Sequence, residues 1–159
     1  MKKLLLRAFA LIAAVLPLSV AQAATPKPPA IFGDFAPGKT FTFTVTTAQT
    51  ATTTGFGGSP VLSPTAPAGV PNLTVGQQVT FTIGKKGELI GPGFKIGFLS
   101  GAVGANAYIN KPKKGAQPTV SSVHKNTTTN EPTAVDMTFF TFKLSKRVPT
   151  VTMTTYVLQ

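Results

Sequence analysis

The feature of this sequence that most restricts its fold is an alternation of threonine with large apolar residues. Threonines occupy every even position of segment 40–46, and the odd positions hold Phe41, Phe43 and Val45. Successive side chains of a β-strand point to opposite faces of its sheet, so this alternation predicts a strand with one buried face. The β-branched threonines suit the solvent-facing side of the pleat.

Similar patterns recur along the chain and predict further strands. The clearest segments are 78–83, 94–98, 136–144 and 150–154, and the weaker ones are 105–110 and 119–125. Within 136–144 the adjacent Phe139 and Phe140 interrupt the alternation, which predicts a β-bulge at that pair. The inward positions predict a core that consists of Phe41, Phe43, Val45, Val79, Phe81, Ile83, Phe94, Ile96, Phe98, Phe139, Phe142, Leu144, Val151 and Met153.

Turn residues and the lack of a helical period decide the fold class. After residue 23 no segment keeps a helical apolar period over three turns, and the chain contains 14 prolines and 15 glycines. Segment 83–89, with Lys85, Lys86 and Gly87 at its centre, predicts a hairpin. About seven short strands separated by turns predict a single antiparallel β-sandwich, immunoglobulin-like in general architecture, with a small β-barrel as the alternative.

Residues 1–23 have the pattern of a cleavable secretory signal peptide. A basic start is followed by an apolar run and by the small-x-small sequence Ala-Gln-Ala that ends at Ala23. Pro17 interrupts the apolar run, whereas a membrane-spanning helix needs about 20 consecutive apolar residues. We therefore expect an exported protein, periplasmic or secreted, and the short basic and apolar regions are typical of bacterial signals.

The remaining chain is expected to form a short leader and one domain. Residues 24–38 are rich in proline and form the leader, and 39–159 form a single β domain. Segment 55–72 is dense in glycine and proline and predicts a long loop, variable or ligand-facing. The leader residues expected to contact the domain are Ile31, Phe32 and Phe35.

Composition limits the chemistry that the chain can carry. The absence of cysteine excludes disulfides, thiolate metal sites and a lipid anchor linked to cysteine. Removal of the signal leaves twelve of the fifteen lysines and arginines against all four acidic residues, which is a formal charge of +8. A positive surface favours anionic partners, although solvated lysines at turns explain the same charge.

Segment 33–40 matches the P-loop pattern G-x-x-x-x-G-K-[ST] at every fixed position. A functional P-loop follows a buried strand and opens a helix, whose N–H groups bind the phosphates. Here prolines precede the segment and a strand pattern follows it. We therefore interpret it as a turn that leads into the first strand, and we predict no nucleotide cofactor.

Few side chains suit catalysis or metal binding. The candidates are the single histidine, His124, and the carboxylates Asp34, Glu88, Glu131 and Asp136. His124 is predicted to be a solvated residue near a strand end, and no cluster has the spacing of metal ligands. We predict a non-enzymatic protein with no catalytic residue, no metal and no cofactor, and a secreted hydrolase is kept as an alternative.

Lysines supply the candidate binding residues. Lys111, Lys113 and Lys114 form one compact cluster, and Lys85 with Lys86 forms another. Turns at strand tips can bring such residues to one end of a fold, where they attract phosphates or uronic acids. After residue 23 the chain has one arginine and no tryptophan, which argues against specific binding of nucleic acid.

Together these features predict an exported structural or binding module that is associated with the cell envelope or secreted. Its expected partners are an anionic envelope polymer, bound through lysines, or another protein that pairs with an edge strand. Segment 151–158 is strand-like and could pair within the fold or with that partner. The alternative is a small outer-membrane or ligand-binding β-barrel. Only in that alternative is a membrane an expected partner of the domain; otherwise the membrane concerns the signal peptide alone.

Overall fold

The computed structural model describes residues 31–110 and 119–159. The predicted signal peptide, residues 24–30 of the leader, and Lys111, Lys113 and Lys114 lie outside these residues. The described strands are β1 (Thr40–Thr54), β2 (Val61–Ser63), β3 (Gln78–Ile83), β4 (Leu89–Gly91), β5 (Phe94–Ala102), β6 (Ala105–Asn110), β7 (Thr119–Lys125), β8 (Pro132–Ser145) and β9 (Val148–Leu158). In this part of the chain no helix has the length and apolar character needed to span a membrane.

Antiparallel pairing joins all nine strands into one large sheet. The order is β2-β1-β3-β4-β5-β6-β7-β8-β9, and β1 also pairs with β9. The predicted all-β, antiparallel, sandwich-like fold is thus confirmed. There are nine described strands rather than about seven because β2 and β4, with three residues each, are too short to show an alternation.

Strand β1 is long because it changes partner along its length. Residues Thr40 to Thr44 pair with β3, and the second half of the strand pairs with β9. The register against β9 shifts between Val45 and Thr47. A shift of this kind exchanges the faces of a strand, so Val45 is buried before it and Thr50 is buried after it.

One hydrophobic core lies between the inner faces of the sheet. Of the predicted core residues, six are buried and four more pack against them in part. Phe41 stacks on Phe81 with ring centroids 5.6 Å apart, and Phe94 meets Phe139 edge to face at 6.0 Å. The buried set that sequence reasoning missed consists of Phe35, Val70, Leu73, Leu89, Tyr108, Val123, Val135, Met137, Tyr156 and Leu158.

The prediction was wrong for the far ends of β8 and β9. Phe142 and Leu144 are 63% and 61% exposed, and Val151 and Met153 are exposed as well. The predicted β-bulge at Phe139 is also absent, since the pairing of β8 with β9 runs through this position without a shift. The inward face of β8 ends with Phe139, and the apolar residues that follow lie on the outer face.

The leader and the long loop both contact the core. Phe35 is 2% exposed and Phe32 packs edge to face on Phe98, whereas Ile31 is exposed. Segment 55–72 contains β2, and Val70 within it is buried. The loop therefore supplies core residues in addition to its exposed ones.

Candidate anion-binding surface

The turn between β3 and β4 holds two of the predicted lysines in solvent. Gly84 N–H donates to the Glu88 carbonyl at 2.8 Å, and Gly87 N–H donates to the Gly84 carbonyl at 3.0 Å. Gly87 has a φ of +79°, which a side chain would strain. Lys85 and Lys86 lie between these glycines and are exposed. The predicted hairpin is confirmed.

Glu88 neutralises the third lysine of this region. Its Oε1 lies 2.9 Å from Lys95 Nζ, and the Lys86 backbone N–H donates to Oε2 at 2.9 Å. These hydrogen bonds, led by that of Lys95, lower the pKa of Glu88 to about 2. Lys85, Lys86 and Lys95 line a groove of about 650 Å³ with largely apolar walls, and only the first two lack a carboxylate partner in the described part of the chain.

The other carboxylates are paired as well. Glu131 Oε2 lies 2.7 Å from Lys39 Nζ, and Asp34 forms an ion pair with the buried Lys125. The fourth, Asp136, is 2.7 Å from His124 Nε2. The chain has four acidic residues, so each of them already has a cationic or potentially cationic partner. Among the residues described, the cations that remain without a carboxylate are Lys85, Lys86, Lys143, Lys146 and Arg147.

These unpaired cations fall into two clusters at opposite ends of β1. The β3–β4 turn is next to the start of β1, because Gly38 N–H donates to the Ile83 carbonyl at 2.7 Å. The β8–β9 turn is next to its end, because Gly55 N–H donates to the Pro149 carbonyl at 2.8 Å. A strand of 15 residues spans about 45 Å, so these two clusters do not converge.

The residues that flank the third predicted cluster lie towards the β8–β9 end. Asn110 and Thr119 pair with each other, and Thr119 is also opposite Phe139 in β8. Lys111, Lys113 and Lys114 follow Asn110 in the sequence and are outside the described residues. Their participation in an anion-binding site stays a prediction.

The end of the β8–β9 hairpin carries an outer apolar face that sequence reasoning missed. Phe140 pairs with Met153, Met153 is opposite Ala51 of β1, and Ala51 is opposite Leu62 of β2. Phe142 and Val151 form the next row. Directly opposite residues of antiparallel strands share a face, so these side chains are neighbours. We define the outer apolar face by Phe140, Phe142, Leu144, Val151, Met153 and Leu62.

The opposite face of this hairpin end is polar. Thr52 and Thr152 are joined by an Oγ1–Oγ1 hydrogen bond of 2.9 Å. Lys143 pairs with Thr150 and alternates with Phe142 and Leu144 along β8. The hairpin end is therefore amphipathic, with threonine and lysine on one side and aromatic and aliphatic residues on the other.

Two cations close this hairpin in a conformation that they rarely adopt. Ser145 pairs with Val148, which leaves Lys146 and Arg147 as a two-residue turn. Their φ values are 48° and 66°. Two-residue hairpin turns with positive φ at both positions favour Asn-Gly because side chains are strained there.

The single histidine lies on the outer face of the sheet beside an acid. The side chains of His124 and Asp136 are 43% and 46% exposed, on neighbouring strands β7 and β8. Ser122 is directly opposite Asp136, while the buried Ser121 donates its hydroxyl to the Asp136 carbonyl at 2.8 Å. In the described part of the chain no group of three or more histidine, aspartate or glutamate side chains could hold a metal ion.

The P-loop match at 33–40 does not have the structure of a phosphate-binding loop. Thr40 begins strand β1 rather than a helix, and Lys39 is bound to Glu131. The interpretation of this segment as a turn that leads into the first strand is confirmed. The C-terminal strand is likewise occupied, because β9 pairs with β8 on one side and with β1 on the other.

In comparisons with known proteins, no family model, no curated protein and no solved structure matches this chain. The function is therefore argued from the geometry and charge of the chain's own residues.

Proposed function

We propose that this protein is an exported, non-enzymatic binding domain of the cell envelope that holds anionic polymers or surfaces through its unpaired cations. The observation that carries the proposal is the distribution of charge. All four carboxylates are paired, and in the described part of the chain five cations without carboxylates are concentrated in two exposed turns and the adjoining strand. A cation whose charge is not balanced nearby attracts phosphates, sulfates and uronic acids.

Export is proposed from residues 1–23, whose basic start, apolar run and cleavage site are typical of a signal peptide. The sequence has no cysteine, so the fold relies on packing and strand pairing rather than on disulfides. A location in the periplasm or outside the cell places the unpaired cations next to anionic envelope polymers.

The non-enzymatic role is supported by the position of the titratable groups. His124 and Asp136 form an exposed pair on the outer face of the sheet, where water reaches both side chains. Catalytic pairs are usually shielded in a cleft that excludes water and orients a substrate. The other carboxylates are held by lysines.

Binding to immobilised heparin and to lipopolysaccharide at several salt concentrations tests this proposal. We expect retention that falls steeply with salt, because the contacts are exposed and screened. The double variant K85Q/K86Q and the triple variants K143Q/K146Q/R147Q and K111Q/K113Q/K114Q measure the share of each cluster. The matched control is K39Q/K95Q, which removes two lysines that are already paired with Glu131 and Glu88.

The control separates a site from a general effect of charge. K39Q/K95Q changes the net charge as much as K85Q/K86Q does, but it removes no unpaired cation. Retention that is insensitive to salt, or equal losses in these two double variants, would contradict the proposal.

A further inference from the structure

We propose that the amphipathic end of the β8–β9 hairpin docks on an anionic lipid bilayer. The outer apolar face would lie at the boundary between headgroups and acyl chains, and Lys146 and Arg147 in the adjoining turn would contact lipid phosphates. This inference rests on the proposed function and deepens it, because it names a lipid surface as the anionic partner of one cluster.

The apolar contribution to membrane docking comes from a contiguous exposed face of the sheet. Phe142, Leu144 and Leu62 are 63%, 61% and 65% exposed, and Val151 and Met153 are about two fifths exposed. The strand register places these residues in adjacent rows across β8, β9, β1 and β2. An exposed apolar face of this kind marks a site of interaction with a protein or a membrane.

The charge of the surrounding residues favours the lipid surface. Lys143, Lys146 and Arg147 are all exposed, and segment 137–159 contains no acidic residue. Anionic headgroups complement this charge, and apolar burial adds to electrostatic attraction at a bilayer surface. A second copy of the chain would bring the same three cations and no negative charge to meet them. A polysaccharide would use the cations but leave the apolar face uncovered.

The turn gives an independent reason to assign a role to these cations. Lys146 and Arg147 both have positive φ, where glycine or asparagine is energetically preferred. Residues that are held in unfavourable backbone conformations concentrate at functional sites. Here two residues that are unfavourable at positive φ, Lys146 and Arg147, place two positive charges at the tip of the hairpin, beside the outer apolar face.

Sedimentation with lipid vesicles tests the proposal. The chain is mixed with vesicles of phosphatidylcholine alone and with vesicles that also contain phosphatidylglycerol, and we expect binding to the second kind only. The variant F142S/L144S should lower the partition coefficient more than about tenfold, because two exposed apolar side chains are lost. The variant K146N/R147G should lower it by about 30-fold, the effect of two cations at an anionic surface.

Two matched controls are available on other parts of the surface. V75S/L99S replaces two apolar residues that are 65% and 58% exposed but lie outside the outer apolar face. K39Q/K95Q removes two lysines that are already paired with Glu131 and Glu88. Both should bind anionic vesicles within about twofold of the parent chain, since surface substitutions distant from a contact have small effects. All variants keep the same N-terminal segment, so its own affinity for lipid cancels in each comparison, and circular dichroism verifies that each variant folds.

The outcomes distinguish the lipid inference from the proposed function. Heparin binding that falls with salt, without binding to anionic vesicles, would overturn the lipid inference and leave the proposed function intact. Loss of both would overturn both. Concentration-dependent dimerisation that F142S/L144S abolishes, without vesicle binding, would assign the outer apolar face to a second copy and also overturn the inference.

Discussion

Asp34 and Glu131 both form ion pairs with lysine, but their surroundings differ. The side chain of Lys125, the partner of Asp34, is 5% exposed, and its Nζ is also 3.4 Å from Asn106 Oδ1. Asn106 in turn donates to the Phe32 carbonyl at 3.3 Å, so this polar cluster ties the leader to the sheet. The Lys39–Glu131 pair is 37% and 63% exposed.

We therefore expect D34A to cost about 3 kcal/mol of unfolding free energy, because it leaves a buried ammonium without its counter-charge. E131A should cost less than about 1 kcal/mol, since water already solvates that pair. Urea denaturation of the two variants measures both values. The double variant D34A/K125M is the control, because removal of the buried charge should recover most of the loss. Equal costs for D34A and E131A would contradict the expected difference between the buried and the exposed ion pair.

Glu88 predicts a dependence of stability on pH. Its pKa is lowered to about 2, first by the hydrogen bond from Lys95 and next by the Lys86 backbone N–H. A carboxyl with a depressed pKa in the folded state stabilises the fold above its unfolded pKa, and the contribution is lost as pH falls towards the folded value. The side chain of Lys95, the principal partner, is 59% exposed and that of Glu88 is 14% exposed, so solvent screens the pair and the contribution is expected to stay below about 1 kcal/mol.

The variant E88Q should be less stable than the parent chain at pH 7, and the difference should shrink between about pH 4.5 and pH 2. Thermal unfolding of both chains across this range measures it. K95Q, which keeps the carboxyl but removes its principal partner, should show a loss of similar size at pH 7. A difference between E88Q and the parent that is constant with pH would show that the ionised carboxylate is not its source.

At the scale of the elements, the strands were largely predictable because alternation is a local property. All seven segments with an alternating pattern are strands, and 78–83, 105–110 and 119–125 have the bounds that were predicted. The irregular positions were not predictable. The register shifts are at Val45, Phe98 and His124 instead of Phe139, because their location depends on the partner strand.

The error at β8 has a physical reason that concerns its two faces. Val135, Met137 and Phe139 face the core, while Phe140 and Phe142 face outward. Alternation identifies two faces but does not say which of them is buried when both carry apolar residues. The adjacent phenylalanines marked the point at which the apolar residues change from the inner to the outer face.

The β8–β9 turn yields a prediction in which stability and function change in opposite directions. Replacing Lys146 and Arg147 by Asn-Gly gives the turn the sequence that suits positive φ at both positions. We expect K146N/R147G to raise the unfolding free energy by about 1 kcal/mol. Calorimetry measures this as a higher midpoint temperature, while binding to anionic surfaces is expected to fall.

The reversed turn sequence, K146G/R147N, provides a comparison that removes the same charges with a less favourable order of residues. Both variants should bind anionic surfaces equally weakly, and only their stability should differ. A destabilised K146N/R147G would mean that Lys146 and Arg147 make stabilising contacts that outweigh any strain of the turn.

At the scale of the whole molecule, the candidate site depended on tertiary pairing and was only partly predictable. The lysines of 85–86 were identified from the sequence, but the pairing of Lys95 with Glu88 and of Lys39 with Glu131 was not. These partners are brought together by the fold, and in the second case 92 positions separate them. Sequence patterns therefore counted the positive charges correctly but could not show which of them remain unpaired.

The separation of the two clusters by about 45 Å of strand leads to a prediction about the number of heparin fragments bound. At physiological salt, charges interact over roughly 10 Å or less, so the clusters are electrostatically independent. For a heparin fragment shorter than β1, each cluster binds its own fragment, so we expect K85Q/K86Q and K143Q/K146Q/R147Q each to remove one bound fragment and to leave the affinity of the other cluster unchanged within about 0.5 kcal/mol.

Long heparin should behave differently, because one chain can reach both ends of the molecule. Linked binding raises the effective concentration at the second cluster, so either variant alone should remove most of this gain in affinity. Isothermal titration with short and long heparin on the parent, the two cluster variants and their combination measures the effect, with K39Q/K95Q as the control for net charge. Separate binding of a long heparin chain at each cluster, with no higher affinity than that of the short fragment, would mean that the two ends do not share a polymer and that each cluster binds its own partner.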